Sequence, residues 1–129
     1  MGRIDSALLA TLVVSALTLG LVAAHAQEAA VKIKNGFLTS ANGMTLYFYD
    51  RDPVDAGTSV CNAKCAETWL PLAAGADAAP SLDLGIISRE DGTRQWAYRG
   101  RPLYLFANDP GPGDKTGDGT DQMWHAAKQ

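Results

Sequence analysis

Hydrophobic positions along the chain fall into two regimes. From Ala7 to Ala24 they form a nearly unbroken apolar run behind Arg3. Past residue 30 they break into short aromatic and aliphatic segments separated by glycine-bearing dipeptides. These segments are Val31 to Thr39, Thr45 to Tyr49, Leu84 to Arg89, Gln95 to Tyr98, Arg101 to Phe106 and Gln122 to Ala127. Each has strand length. Asn42-Gly43, Asp91-Gly92 and Arg99-Gly100 punctuate them as turns, because such pairs tolerate the positive φ of a tight reversal. The pattern predicts antiparallel folding back over 37–49 and 86–98. Alternation along the strands places Leu46 and Phe48 on one face and Tyr47 and Tyr49 on the other, with Leu103 and Leu105 opposed to Tyr104 and Phe106 in the same way. Both faces are apolar, as in a central pair of strands covered on each side. One helix is predicted, over 62–68, where Ala63, Lys64, Ala66 and Glu67 favour helix and Pro71 ends the run.

The leading apolar run has the layout of a cleaved secretory signal: a charged start at Arg3, an apolar stretch, and the small-residue pattern Ala24-His25-Ala26 before Gln27. Residues 1–26 are therefore expected to be removed. The alternative is an uncleaved anchor, since the stretch is just long enough to cross a bilayer. Composition agrees with an exported globular chain. The 129 residues carry 11 Lys+Arg against 14 Asp+Glu, a formal charge of -3 and a pI near 5.2, with 13 glycines and 6 prolines. There is no basic excess to neutralise phosphates, so nucleic acid is not an expected partner. Loss of 1–26 also removes His25 and leaves His125 as the sole imidazole, which excludes chemistry that needs two histidines.

Setting residue 43 against residue 100 and keeping that spacing aligns Gly43, Leu46, Tyr47, Tyr49, Asp52 and Pro53 with Gly100, Leu103, Tyr104, Phe106, Asp109 and Pro110. Trp69 and Trp124 follow at nearly the same spacing. This is a degenerate duplication. Repeat one covers about 31–72, an Ala/Gly/Pro-rich linker about 73–80, and repeat two about 81–129, all in a single domain of 27–129 with a shared core. The expected fold class is mainly β: a small antiparallel sheet built from two degenerate hairpin repeats, with one short helix.

The two motif copies, Tyr47-Phe48-Tyr49-Asp50-Arg51-Asp52 and Tyr104-Leu105-Phe106-Ala107-Asn108-Asp109, occur with Cys61-x-x-x-Cys65, Trp69-Leu-Pro-Leu and Pro102-Leu-Tyr. In this the chain resembles the bacterial secreted-repeat family described as predicted lipoproteins with a Y-x-[FWY]-x-x-D motif. The resemblance spans nearly all of 27–129. It implies export and repeat architecture and assigns no activity. The chain departs from the lipoprotein pattern in having no cysteine near the expected cut, so a lipid anchor has no attachment atom.

Four groups of residues carry candidate chemistry. Asp52 and Asp109 follow their strands and precede proline, where an Asx-type turn bond accounts for aspartate; a catalytic carboxylate pair is the sharper alternative. Cys61 and Cys65 are an even count in an exported chain and are expected to form a disulfide, provided the two sulfurs turn towards each other. Kept reduced, they would offer two soft thiolates that, with Met123 and His125, suit Cu(I). The acidic loop from Asp109 to Asp121 contains Asp114-x-Thr116-x-Asp118-Gly119, the first half of an oxygen-rich calcium loop. With Asp121 it gives a candidate calcium set, although His125 stands where such a loop would end in glutamate. Arg89, Arg94, Arg99 and Arg101 gather on the second hairpin and set a basic face against that loop.

Standard enzyme signatures are absent: there is no HExxH, GxSxG, GxxxxGK[ST] or dinucleotide glycine fingerprint. The expectation is an exported, non-enzymatic envelope protein, periplasmic or secreted, monomeric, without a resident cofactor, that acts as a binding or accessory module for an unidentified ligand or envelope partner. The alternatives are a periplasmic copper or redox protein using Cys61, Cys65, Met123 and His125, and an interaction module with an exposed aromatic strip or acidic loop.

Overall fold

The computed structural model describes residues 29–129, together with Gly2, 11–18 and Gly20. The signal-segment reading over 1–26 falls largely on residues outside these. Among the described residues no helix is long and apolar enough to cross a membrane. The chain is mainly β, with strands β1 (Val31–Lys34), β2 (Phe37–Ser40), β3 (Leu46–Tyr49), β4 (Trp69–Pro71), β5 (Leu84–Ser88), β6 (Arg94–Tyr98), β7 (Arg101–Pro102), β8 (Tyr104–Phe106) and β9 (Trp124–Ala126), and a short helix α1 (Lys64–Thr68). These form a β1-β2 hairpin, a four-stranded sheet in the order β4-β8-β3-β9, and a three-stranded sheet in the order β5-β6-β7. The pairings are antiparallel throughout.

Several boundaries differ from the sequence expectation. The segment 31–39 is not one strand. Asn35 (φ 51) and Gly36 (φ 80) reverse it into β1 and β2, because an Asn-Gly pair adopts the doubly positive φ of a tight hairpin turn. The expected pairing across 37–49 shrinks to the single bridge Thr39↔Thr45. The chain does turn at Asn42-Gly43, where Gly43 N–H bonds Ser40 C=O. Beyond it, β2 already holds β1 as its partner, and both edges of β3 are taken by β8 and β9. The segment 101–106 likewise breaks at fully buried Leu103. Pro102 has no N–H to continue a ladder, and Leu103 C=O accepts both Leu72 N–H and the Gln95 side-chain amide, so the chain crosses there from the three-stranded to the four-stranded sheet. The hairpin over 86–98 forms as expected, with Ile86 opposite Trp96.

The four-stranded sheet interlocks the two repeats. Its central strands are the two motif strands, β3 from repeat one and β8 from repeat two, with Tyr47 directly opposite Tyr104. The outer strands are exchanged. Repeat one sends β4 to pair with β8, and repeat two sends β9 to pair with β3. Trp69 thereby sits opposite Phe106 and Trp124 opposite Tyr49, so the halves are related by an approximate two-fold axis between the two motif tyrosines. Neither repeat completes its half of the sheet alone.

Each face of this sheet carries its own core. On one side are Leu38, Leu46, Phe48, Ala74, Trp96, Tyr98, Leu103 and Ala127. On the other are Tyr47, Cys61, Trp69, Tyr104, Trp124 and Ala126, with Phe37, Tyr49, Cys65, Phe106 and Met123 against them. The alternation read from the sequence is thus realised. The linker is not slack: Ala73 bridges Gln95, and the Arg94 guanidinium donates to the carbonyls of Gly75, Ala76 and Ala78.

Gly100 marks where β6 turns into β7. It has φ +79, and a Cβ there would strike the Asp55 carboxylate and come within 2.9 Å of the Asp55 backbone nitrogen, which donates to Gly100 C=O. Gly92 has φ +82 with open space around it. Gly92→Ala should therefore cost only the positive-φ term, about 1 kcal/mol. Gly100→Ala should cost ~2 kcal/mol more from the added clash. Urea midpoints of the two variants at equal m-value measure the difference.

Candidate functional site

The motif residues meet at the centre of the four-stranded sheet. Tyr47 and Tyr104 are fully buried, and each phenol donates to the carboxylate of the other repeat: Tyr47 Oη to Asp109 Oδ2 at 2.7 Å, and Tyr104 Oη to Asp52 Oδ2 at 2.5 Å. The second oxygen of each aspartate ties down its own loop. Asp52 Oδ1 accepts Val60 N–H, and Asp109 Oδ1 accepts the N–H and hydroxyl of Thr116. Asp52 and Asp109 therefore act at long range, and the expected Asx-type turn is not their task. Each carboxyl lies three residues past the end of its motif strand, where the chain has turned and reaches across the axis to the opposite phenol.

A ladder of rings lies against these bonds. Tyr49, Trp124, Trp69 and Phe106 stack in that order, with centroid separations of 4.2, 3.9 and 4.5 Å. Tyr104 meets Trp124 edge-on at 5.1 Å, and Tyr47 meets Trp69 edge-on at 5.3 Å. Such pairs add about 0.5 to 1.5 kcal/mol each beyond the area they bury. Gly117 lets the loop close over the stack, since a Cβ there would lie 2.7 Å from Trp69 and 2.9 Å from Phe106. The middle of the strip is consequently core, with Tyr47, Trp69, Tyr104 and Trp124 buried and the two ends of the ladder, Tyr49 and Phe106, half-buried.

The two halves differ in what surrounds the tyrosine. On the Tyr104 side, Ser59 Oγ lies 2.5 Å from the phenol and accepts Cys61 N–H. Buried Arg89 donates to Gln95 Oε1, to Cys61 C=O and to Asn62 Oδ1. On the Tyr47 side there is Gly117 N–H, 3.4 Å from the phenol. Burial pushes the Tyr47 and Tyr104 phenols well above their ordinary value, and the bonds to Asp109 and Asp52 push the same way. Burial also raises the Asp52 carboxyl, against the opposing pull of Tyr104, Val60 N–H and Ser59.

Cys61 and Cys65 are joined as a disulfide with Cα atoms 5.2 Å apart, Cys61 fully buried beside the ring ladder. Both sulfurs are thus committed to each other, leaving no thiolate for the copper set. His125 is held elsewhere, its Nε2 2.7 Å from Asp50 Oδ2, while Met123 packs at the margin of the ring cluster. The calcium set does not converge either. Asp118 Oδ1 accepts Ala126 N–H, Thr116 binds Asp109, and Asp114 and Asp121 are exposed. Among the described residues no three His, Cys, Asp or Glu side chains stand together as metal donors. The four arginines do not make one basic face. Arg89 is buried, Arg94 holds the linker, Arg99 pairs with Asp83 at 3.3 Å and Arg101 with Asp50 at 3.6 Å. A surface depression of about 510 Å³ lies between α1 and the β5-β6 turn, away from the motif.

The sequence reading gives Ser59, Thr116, Arg89 and Gln95 none of these roles, placing Thr116 only in the calcium set and Arg89 only on the basic hairpin. A signal existed for the first two, since each hydroxyl follows its motif aspartate at the same spacing in both copies. None existed for Arg89 and Gln95, which repeat one replaces with Lys32 and Leu38.

Fold and site together define a small β protein of two interlocked repeats, whose shared motif joins one copy to the other. The chain belongs to the family described as a secreted repeat of unknown function, whose model matches residues 29–73 and 85–128. That description supports an exported location. No curated protein and no solved structure matches the chain.

The buried phenols dictate an alkaline response. Their folded-state pKa values lie above the ordinary 10.0, so the unfolded chain releases these protons first. The stability they contribute is fully present below about pH 10 and is lost as pH rises towards the folded values. Absorbance near 295 nm should show Tyr47 and Tyr104 silent among the 4 tyrosines until the chain unfolds. Tyr104→Phe should cost about 1 to 3 kcal/mol by stranding Asp52, and should weaken the alkaline slope. Replacing Cys61 and Cys65 together by alanine should cost about 2 kcal/mol, given the small loop, read as a lower urea midpoint with the far-UV spectrum retained.

Proposed function

We propose that the protein is an exported, non-enzymatic binding or accessory module of the bacterial envelope, released as a soluble monomer after cleavage behind Ala26. The observation that carries this reading is the internal satisfaction of the motif. The hydroxyls of Tyr47 and Tyr104 and the carboxylates of Asp52 and Asp109 bond one another and neighbouring backbone, and no buried side-chain polar atom among the described residues lacks a partner. Their shared task is to join the two repeats, which leaves recognition to the surface. The disulfide supports an oxidising compartment.

Binding then falls to the outer loops on this scaffold. The loop between β8 and β9 favours that role: Asp114, Lys115, Asp118 and Asp121 are exposed, while Thr116 and Gly117 anchor it to the core. It offers a firm acidic surface to a basic partner.

Fractionation of a bacterial host producing the whole chain, followed by intact and native mass measurement, tests the reading. The expected product lies outside the cytoplasm, begins at Gln27, is monomeric, and is lighter than the reduced chain by the hydrogens of one disulfide. A full-length, reduced product confined to the cytoplasm would overturn it.

A further inference from the structure

A buried carboxylate opposite a phenol is a costly way to close a seam, since two apolar side chains of similar volume would do so without desolvating a charge. Here the arrangement occurs twice, each time edge-on to one of two stacked indoles. Tyrosine and tryptophan are the aromatic side chains most easily oxidised by one electron, and tyrosine yields its electron readily only when a base receives the phenolic proton. Asp52 and Asp109 are bases in that position, 2.5 and 2.7 Å from the phenolic oxygens. The ladder is also directional. At one end it terminates in Phe106, which resists oxidation. At the other, half-buried Tyr49 opens onto a depression of about 330 Å³ lined by Arg51, Asp121 and Met123.

We propose that this cluster is a one-electron relay: a high-potential one-electron metal oxidant docks at the Tyr49 depression and draws an electron through Trp124, leaving a neutral radical on Tyr104 and its proton on Asp52. The balance closes within the site. The oxidant gains one electron and Tyr104 loses it. The phenolic O–H bond breaks and an O–H bond forms at Asp52 Oδ2, so no proton leaves the protein. Return of an electron from a one-electron donor through the same opening restores phenol and carboxylate. Tyr104 is favoured over Tyr47 because it meets Trp124, the indole stacked on Tyr49, whereas Tyr47 lies one ring further along against Trp69. Burial, which already draws Asp52 towards its protonated form, makes that carboxylate a better acceptor. This inference goes beyond the binding reading and does not rest on it.

The test uses the purified, disulfide-bonded protein and flash-generated ruthenium(III) tris-bipyridine as oxidant, with transient absorption and freeze-quench electron paramagnetic resonance. Wild type should give a neutral tyrosyl signal, formed with a solvent deuterium isotope effect. Tyr104→Phe should lose most of that signal, and Asp52→Asn should slow its appearance. Trp124→Phe preserves a stacked ring, removes the oxidisable indole and should lower the yield. It also serves if Tyr104→Phe fails to fold, near-UV circular dichroism being the check. Absence of a tyrosyl signal in the wild type, an unchanged yield in Tyr104→Phe or in Trp124→Phe, or a radical assigned to Tyr98 in the opposite core, would each overturn the proposal.

Discussion

Two phenols that have lost access to water must each find an acceptor, and in this protein the acceptor comes from the other repeat. Tyr47 reaches Asp109 and Tyr104 reaches Asp52, across a register that sets the two tyrosines face to face. A donor buried without a partner costs about 1 to 3 kcal/mol, and an unpartnered buried carboxylate costs more. Each repeat therefore meets its polar needs only when the other is docked in the right register. Since a one-residue slip would turn every side chain to the opposite face, these bonds and the two-sided apolar pattern specify the same alignment.

The rest of the architecture follows from that crossing. Because β3 and β8 occupy the centre, the outer positions fall to β4 and β9, each pairing with the motif strand of the other copy. The exchange brings Trp69 and Trp124 into contact, 3.9 Å apart and nearly parallel, at the middle of a four-ring ladder. A chain of this size can bury only a modest core. Placing six aromatic rings around two charge-assisted bonds concentrates its cohesion in one place.

Duplication has preserved the seam and let the periphery diverge. On the repeat-one loop a disulfide fixes the turn that delivers Ser59 and Val60 to Asp52, and Arg89 braces that turn through Cys61 C=O. On the repeat-two loop, Asp118 and Gln122 stand in place of the cysteines, and the loop is held by Thr116 and by Asp118 Oδ1 on Ala126 N–H. One loop is covalently closed and folded against the second hairpin; the other is acidic and faces solvent.

The sequence by itself determined the mainly β class, the duplication, the motif faces of Tyr47 and Tyr104, the helix near Cys65 and the pairing of the cysteines. Period-two alternation, Asn-Gly and Asp-Gly turns and an even cysteine count are local signals, legible without knowing the partner strand. It did not reveal that Asn35-Gly36 is a turn inside what reads as one strand, that Leu103 switches sheets, or that Asp52 and Asp109 serve the opposite copy. Those outcomes depended on which strand edges were already occupied and on which groups lost water together. Only packing the two repeats against each other decides that, because hydrogen-bond demand arises when a group is buried, and burial is a property of the whole fold.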